Sequence, residues 1–199
     1  MQQDEETCST RDKILETALR LFSKEGYLGA TTREIAREAG VAEVTLFRHF
    51  PSKETLFEET INANSFLPAL KGLMPGIRQM PYGEALAMIA KSFLEILALR
   101  KDTVKIMQAE MQRYPEKIQK IYHAFIDEMV NTLASYFGEM HGKGSLREFD
   151  TELAARSFFG MFFSYFNAEE ILLRKNYRHI DADKTVREFV DIFVRGTLK

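Results

Sequence analysis

At 199 residues, 45% hydrophobic and 28% charged, the chain has globular composition with room for one large domain or two small ones. Its longest apolar runs fall short of the roughly 18 residues a membrane span needs. Asp4, Glu5 and Glu6 stand where a signal peptide would be basic, so a cytoplasmic protein is expected, with no membrane partner. A lone cysteine, Cys8, excludes an internal disulfide and a thiolate metal cluster, and it is given no role.

Nearly every segment reads with helical period. Ser9 and Asp12 form a capping pair ahead of the stripe Ile14, Leu15, Ala18, Leu19 and Phe22, and Gly26 supplies the stop. Short helices follow near 32–39 and 42–50, separated by Gly40. Pro51 breaks the chain, and Ser52 caps a helix running towards Phe66. Pro68, Gly72, Pro75, Gly76 and Pro81 make residues 67–81 read as a connection. Further helices are expected near 82–100, 102–113, 115–138, 150–174 and 183–197. The fold class is therefore all-α with about nine helices. The division into domains falls at residues 1–53 and 54–199.

The segment Thr32–Phe50, TREIAREAGVAEVTLFRHF, carries the functional signal. Two steeply crossing helices need a small residue at their contact, here Ala36, and a turn that tolerates positive φ, here Gly40. Ile35, Ala39 and Val41 close the inner side, with Leu46 and Phe50 facing them. Glu43, Val44, Thr45, Phe47, Arg48 and His49 are left for the outer surface of a helix about 12 Å long. Aromatic and donor groups on so short a helix suit the major groove of double-stranded DNA. Lys53 sits in a first turn, where the helix dipole disfavours a cation unless an anion such as a phosphate joins it. The alternative is a solvated lysine offset by Glu54. The bulk charge gives this reading no help. Residues 1–53 carry eight Lys/Arg against nine Asp/Glu, so positive charge must be placed locally.

Residues 11–57, and especially ATTREIAREAGVAEVTLFRHFPSKETLF, resemble the DNA-binding domain of the tetracycline-repressor (TetR) family. The resemblance implies a homodimeric regulator of transcription, usually a repressor. It would leave a palindromic operator when a small molecule enters the C-terminal domain. Carried over residue by residue, Thr32 and Arg33 would contact backbone and neighbouring bases. Glu43, Val44 and Thr45 would lead the recognition helix. Phe47 and His49 would press on the sugar-phosphate, and Lys53 would hold a phosphate. Two features depart from the pattern: Ala42 cannot cap, and Glu43 would be repelled by phosphate while able to accept from cytosine. Arg48 fits either guanine or phosphate.

Further along, Phe158, Phe159, Met161, Phe162, Phe163, Tyr165 and Phe166 fall within nine residues, more than one stripe can bury. A dimer interface through Phe158, Phe159, Met161, Phe189 and Phe193 is expected, as a four-helix bundle across a two-fold axis. Met88, Phe93, Met107, Met111, Tyr122, Phe125, Met129 and Phe162 are candidates for a pocket holding a hydrophobic or aromatic effector, though such a stripe is more often plain core.

No cofactor and no metal is implied. None of His49, His123, His141 and His179 has Glu three positions earlier, as a di-iron bundle would need, and there is no Walker loop or nucleophile elbow. The chain is expected not to be an enzyme. The other reading is a helical binder of apolar ligands that keeps a helix-turn-helix for packing alone. Exposure of Phe47, Arg48, His49 and Lys53 together separates the two.

Overall fold

The computed structural model describes residues 9–178 and 180–199; Asp4, Glu5, Glu6, Cys8 and His179 lie outside the described residues. Helix α1 spans Thr10–Gly29 and begins where Ser9 Oγ accepts from the Asp12 N–H at 3.2 Å. Its buried stripe is Ile14, Leu15, Ala18, Leu21 and Phe22. Leu21, seven positions after Ile14, belongs to that stripe, whereas Leu19 is turned aside and only half-buried. At Gly26 the backbone leaves the helix, with φ 72° and ψ 174°. Only glycine adopts this conformation freely. A Cβ there would also meet the Glu110 carboxylate.

Helix α2 (Thr32–Glu38) is capped by Thr31, and α3 (Glu43–His49) has no side-chain cap because Ala42 stands in that place. Helix α4 (Lys53–Asn64) opens at Ser52, whose Oγ accepts from the Thr55 N–H at 3.1 Å.

Residues expected to connect two halves are instead α5 (Phe66–Ile77). Ser65 caps it, and Pro68 lies in the first turn, where a missing N–H costs nothing. Leu67, Leu70, Met74 and Ile77 bury one face, and that burial outweighs the interruption at Pro75. Helices α6 (Tyr82–Leu99), α7 (Lys101–Glu110), α8 (Glu116–Gly142), α9 (Thr151–Phe166) and α10 (Ala182–Thr197) follow. The expected 150–174 helix stops early: α9 passes into a π-helical turn over Asn167–Ile171, and Leu173 takes a left-handed φ of 55°. The described residues thus hold ten α-helices and no strand beyond one isolated bridge, Leu146 with Leu198. The helix beyond the nine expected is α5. None of them is long and apolar enough to cross a membrane.

Two compact units result, one of residues up to Asn64 plus 102–122, the other of residues 65–101 plus 123–199. This differs from a single division after residue 53. Helix α4 packs on α1 through Leu56, Phe57, Thr60 and Ile61, so it goes with the first unit. In that unit Phe22, Tyr27, Phe57 and Tyr114 form an edge-to-face cluster with centroids 5.2 to 6.4 Å apart. In the second, Phe66, Phe93 and Phe159 join Phe158, Phe162, Phe189 and Phe193 in one aromatic network, linked where Phe158 and Phe159 meet at 5.8 Å.

Candidate nucleic-acid interface

The reading helix is held from below. Ile35, Ala36, Leu46 and Phe50 are buried, and Gly40 turns the chain with φ 70°. The turn is closed by the Val41 N–H donating to the Ala36 carbonyl at 3.0 Å. Because α3 has only seven residues, this packing, rather than its own hydrogen bonds, keeps it helical.

Its outer face stays open. Val44 is 68% exposed and Phe47 41%, while Arg48 and His49 are also exposed; Thr45 and Glu43 are half-buried. An apolar pair left in water on so small a helix is of no use to the core. On α2, Arg33 is exposed beside a half-buried Thr32.

Charge is sorted by pairing. Arg11 binds Glu59, Arg20 binds Glu38, and Arg37 stands near Glu34 and Glu38 at 3.5 Å. Among the described residues neither Arg33 nor Arg48 is in an ion pair. Around α2, therefore, Glu34 and Glu38 are occupied while two guanidinium groups, those of Arg33 and Arg48, are free among the described residues. The Arg20 hydrogen bond holds Glu38 below the usual carboxylate range. Glu43 is occupied as well: Thr32 Oγ1 donates to its Oε1 at 2.8 Å.

Lys53 is half-buried rather than fully solvated. Its ammonium lies 4.4 Å from the centre of the Tyr27 ring. Burial lowers its pKa, against the opposing effect of Glu54. Tyr27 is pushed up to about 12 by burial, then by the charge and hydrogen bond of Glu54. The Glu54 carboxyl is lowered by its own backbone N–H, then by Ser52, Lys117 and Tyr27. A half-buried cation on an aromatic face at a helix N-terminus is well placed to gain an anionic oxygen. Tyr27 was not visible as part of this site, because 26 positions of chain separate it from Lys53 and no local spacing joins them.

The expected pocket residues are divided between the two units. Met107, Met111 and Tyr122 fall in the first unit, and Met88, Phe93, Phe125, Met129 and Phe162 in the second. Met88 is 40% exposed, on the side of α6 opposite its buried Ala85, Leu86, Ile89 and Phe93. An open cleft of about 580 Å³ in the first unit is lined by Arg20, Ser23, Lys24, Asp102, Lys105, Ile106 and Ala109, none of them in the expected set. The expected dimer contacts also need correction. Phe158, Phe159 and Phe193 are buried within the chain's own core, so they have almost no area to offer a partner; Met161 and Phe189 are half-buried. Among the described residues no group of three His, Cys, Asp or Glu could hold a metal.

Comparison with known proteins decides what the face belongs to. Residues 14–60 match the model of bacterial regulatory proteins of the tetR family, and residues 84–196 match the C-terminal domain of AefR-like transcriptional repressors. The chain belongs to the tetR family. It is 28% identical over 187 residues to the uncharacterised HTH-type transcriptional regulator YvkB of Bacillus subtilis, covering 94% of this chain and 96% of that one. A putative TetR-family regulator from Mesorhizobium loti shares its fold with a TM-score of 0.78 at 23% identity, covering 96% and 97% of the two chains. The regulator FadR of Bacillus subtilis, solved with stearoyl-CoA, shares it with a TM-score of 0.74 at 19% identity, covering 92% and 97%. Family members and relatives are DNA-binding regulators of transcription rather than enzymes, and so is this chain.

Proposed function

We propose that this tetR-family regulator is a ligand-responsive repressor, a homodimer that grips a palindromic operator and lets go when a small hydrophobic effector binds its C-terminal helices. The observation that carries the reading is the α2–α3 face. Arg33 and Arg48 are free while the neighbouring carboxylates are tied up, and Val44 and Phe47 stand in water beside them. Thr32, Arg33, Phe47, His49 and Lys53 would hold the DNA backbone, with Val44, Thr45 and Arg48 in the groove.

A lone short helix reads too few bases, which favours a dimer with half-sites about 34–36 Å apart or a multiple of it. We assign its contact to the exposed sides of α9 and α10, with Leu153, Gly160 and Ile192 central and half-buried Met161 and Phe189 at the edge. For the effector, the second unit offers Phe93, Phe125, Met129 and Phe162. The fold-neighbour FadR is solved with stearoyl-CoA, which favours an apolar chain as the class of ligand to try first. Such a ligand lowers operator affinity by its preference between two conformations and by no more.

Fluorescence anisotropy against DNA from upstream of the chain's own gene, with scrambled DNA as control across a salt series, tests the reading. Selective binding, released by apolar compounds, is expected. Equal weak binding to both probes, repeated after selection from random duplexes, would favour an apolar-ligand protein that keeps the motif for packing. Monomer mass in light scattering at micromolar concentration would remove the dimer.

A further inference from the structure

We infer that two side chains of α3, Val44 and Arg48, carry the base reading, and that Glu43 reads nothing but positions Thr32. The inference rests on the DNA-binding reading above and specifies the operator that reading implies: a half-site with a thymine and a guanine one to two base pairs apart.

Val44 and Arg48 are four residues apart, hence on one line of the helix and about 6 Å apart along its axis. Stacked bases are about 3.4 Å apart along a strand, so the pair spans one to two steps. The isopropyl group of Val44 has no hydrogen-bonding atom and is the most exposed apolar group on α3. The only base edge in the major groove that rewards such a group is the thymine methyl. Arg48 is exposed and free of carboxylates among the described residues, so its fork of donors is available to guanine O6 and N7. By its spacing Arg48 shares the Val44 face of α3, so a helix that brings Val44 to a base edge brings the guanidinium to the same groove.

Glu43 is different. It is half-buried, it accepts the Thr32 hydroxyl at 2.8 Å, and it sits in the first turn of α3, where the helix dipole favours an anion. To reach a cytosine amino group it would have to abandon both and approach the phosphates. The bond joins the first turns of the two motif helices, so Glu43 acts on DNA through Thr32.

Selection of the wild-type chain from randomised duplexes, followed by anisotropy on the chosen duplex and its atom-level variants, tests this. Replacing the thymine by deoxyuridine removes one methyl and should weaken wild-type binding about four-fold. Val44→Ser, which puts a hydroxyl in place of the methyls, should be indifferent to that change. Arg48→Ala should lose roughly 5- to 150-fold of the preference for guanine at one position, and the wild type but not the variant should respond to 7-deazaguanine there. Glu43→Ala should weaken every duplex alike and leave the selected sequence unaltered. The assignment is overturned if Val44→Ser still senses the methyl as the wild type does. It is overturned equally if Arg48→Ala weakens all duplexes evenly while lowering the salt dependence by about one ion, which marks a phosphate contact. Relaxed preference at a C·G pair in Glu43→Ala would make Glu43 a reader. Failure of the wild type to select any sequence is a separate outcome, which overturns the DNA-binding reading and this inference with it.

Discussion

Helices α3 and α9 are both rich in aromatic and apolar groups, yet the structure treats them in opposite ways. Phe47 and Val44 of α3 stand in water, while Phe158, Phe159, Phe162 and Phe166 of α9 are buried. Residue type does not separate the two. Position does: α3 has one packed side, holding Leu46 and ending at Phe50, and nothing in the first unit covers the other. Helix α9 meets α6 on one side and α10 on another, so several of its faces are filled. An aromatic ring left exposed beside unpaired guanidinium groups marks a surface for a partner, whereas one enclosed by other rings stabilises the fold.

Substitutions can break that contrast. Phe162→Ala empties a site fully enclosed among Phe158 and Phe189 and should cost about 3–5 kcal/mol in urea unfolding. Phe47→Ala should stay within about 0.5 kcal/mol of the parent in the same experiment and lose operator affinity instead. Gly26→Ala comes next. Its backbone conformation should cost about 1–3 kcal/mol, while the Glu110 carboxylate, at the far end of a flexible side chain, can swing aside. Gly40 also has positive φ, but nothing lies within 4 Å of an added Cβ, so Gly40→Ala should cost less than Gly26→Ala by thermal melting.

Arg33→Ala should weaken operator binding by about 1–3 kcal/mol, evenly across sequences, and reduce the salt slope by about one while leaving the melting temperature in place. Thr31→Ala removes the α2 cap and should cost about 1 kcal/mol of stability. The smallest effect belongs to the exposed pair of Arg78 and Glu139, which meet in two hydrogen bonds of 2.8 and 2.7 Å. The Arg78 hydrogen bonds hold Glu139 below its ordinary value of 4.5. Its contribution is therefore present above pH 4.5 and is lost as pH falls through the lowered value. Glu139→Gln should flatten the acid side of a melting-temperature profile by a small amount that high salt erases.

Much of the reading unit was legible from the chain alone. Ser9, Ser52, Gly26 and Gly40 announce helix ends through dihedral freedom and hydrogen bonds that reach three or four residues, and the structure places Ser9, Ser52 and Gly40 at such ends and Gly26 at a kink within α1. The burial of Ile35, Ala36, Leu46 and Phe50 followed from the same short-range periodicity. Proline and glycine misled over residues 67–81, because a first-turn proline and a buried leucine stripe together permit a helix that local punctuation denies.

Sequence by itself determined the helical class, the helix-turn-helix and the family, since all three are written in spacings of a few residues. Only the tertiary structure decided which aromatic faces are covered, which carboxylates are neutralised by arginines up to 61 positions away, and that Lys53 rests on Tyr27. Burial and pairing depend on what distant segments bring to a point in space, and no local period encodes that.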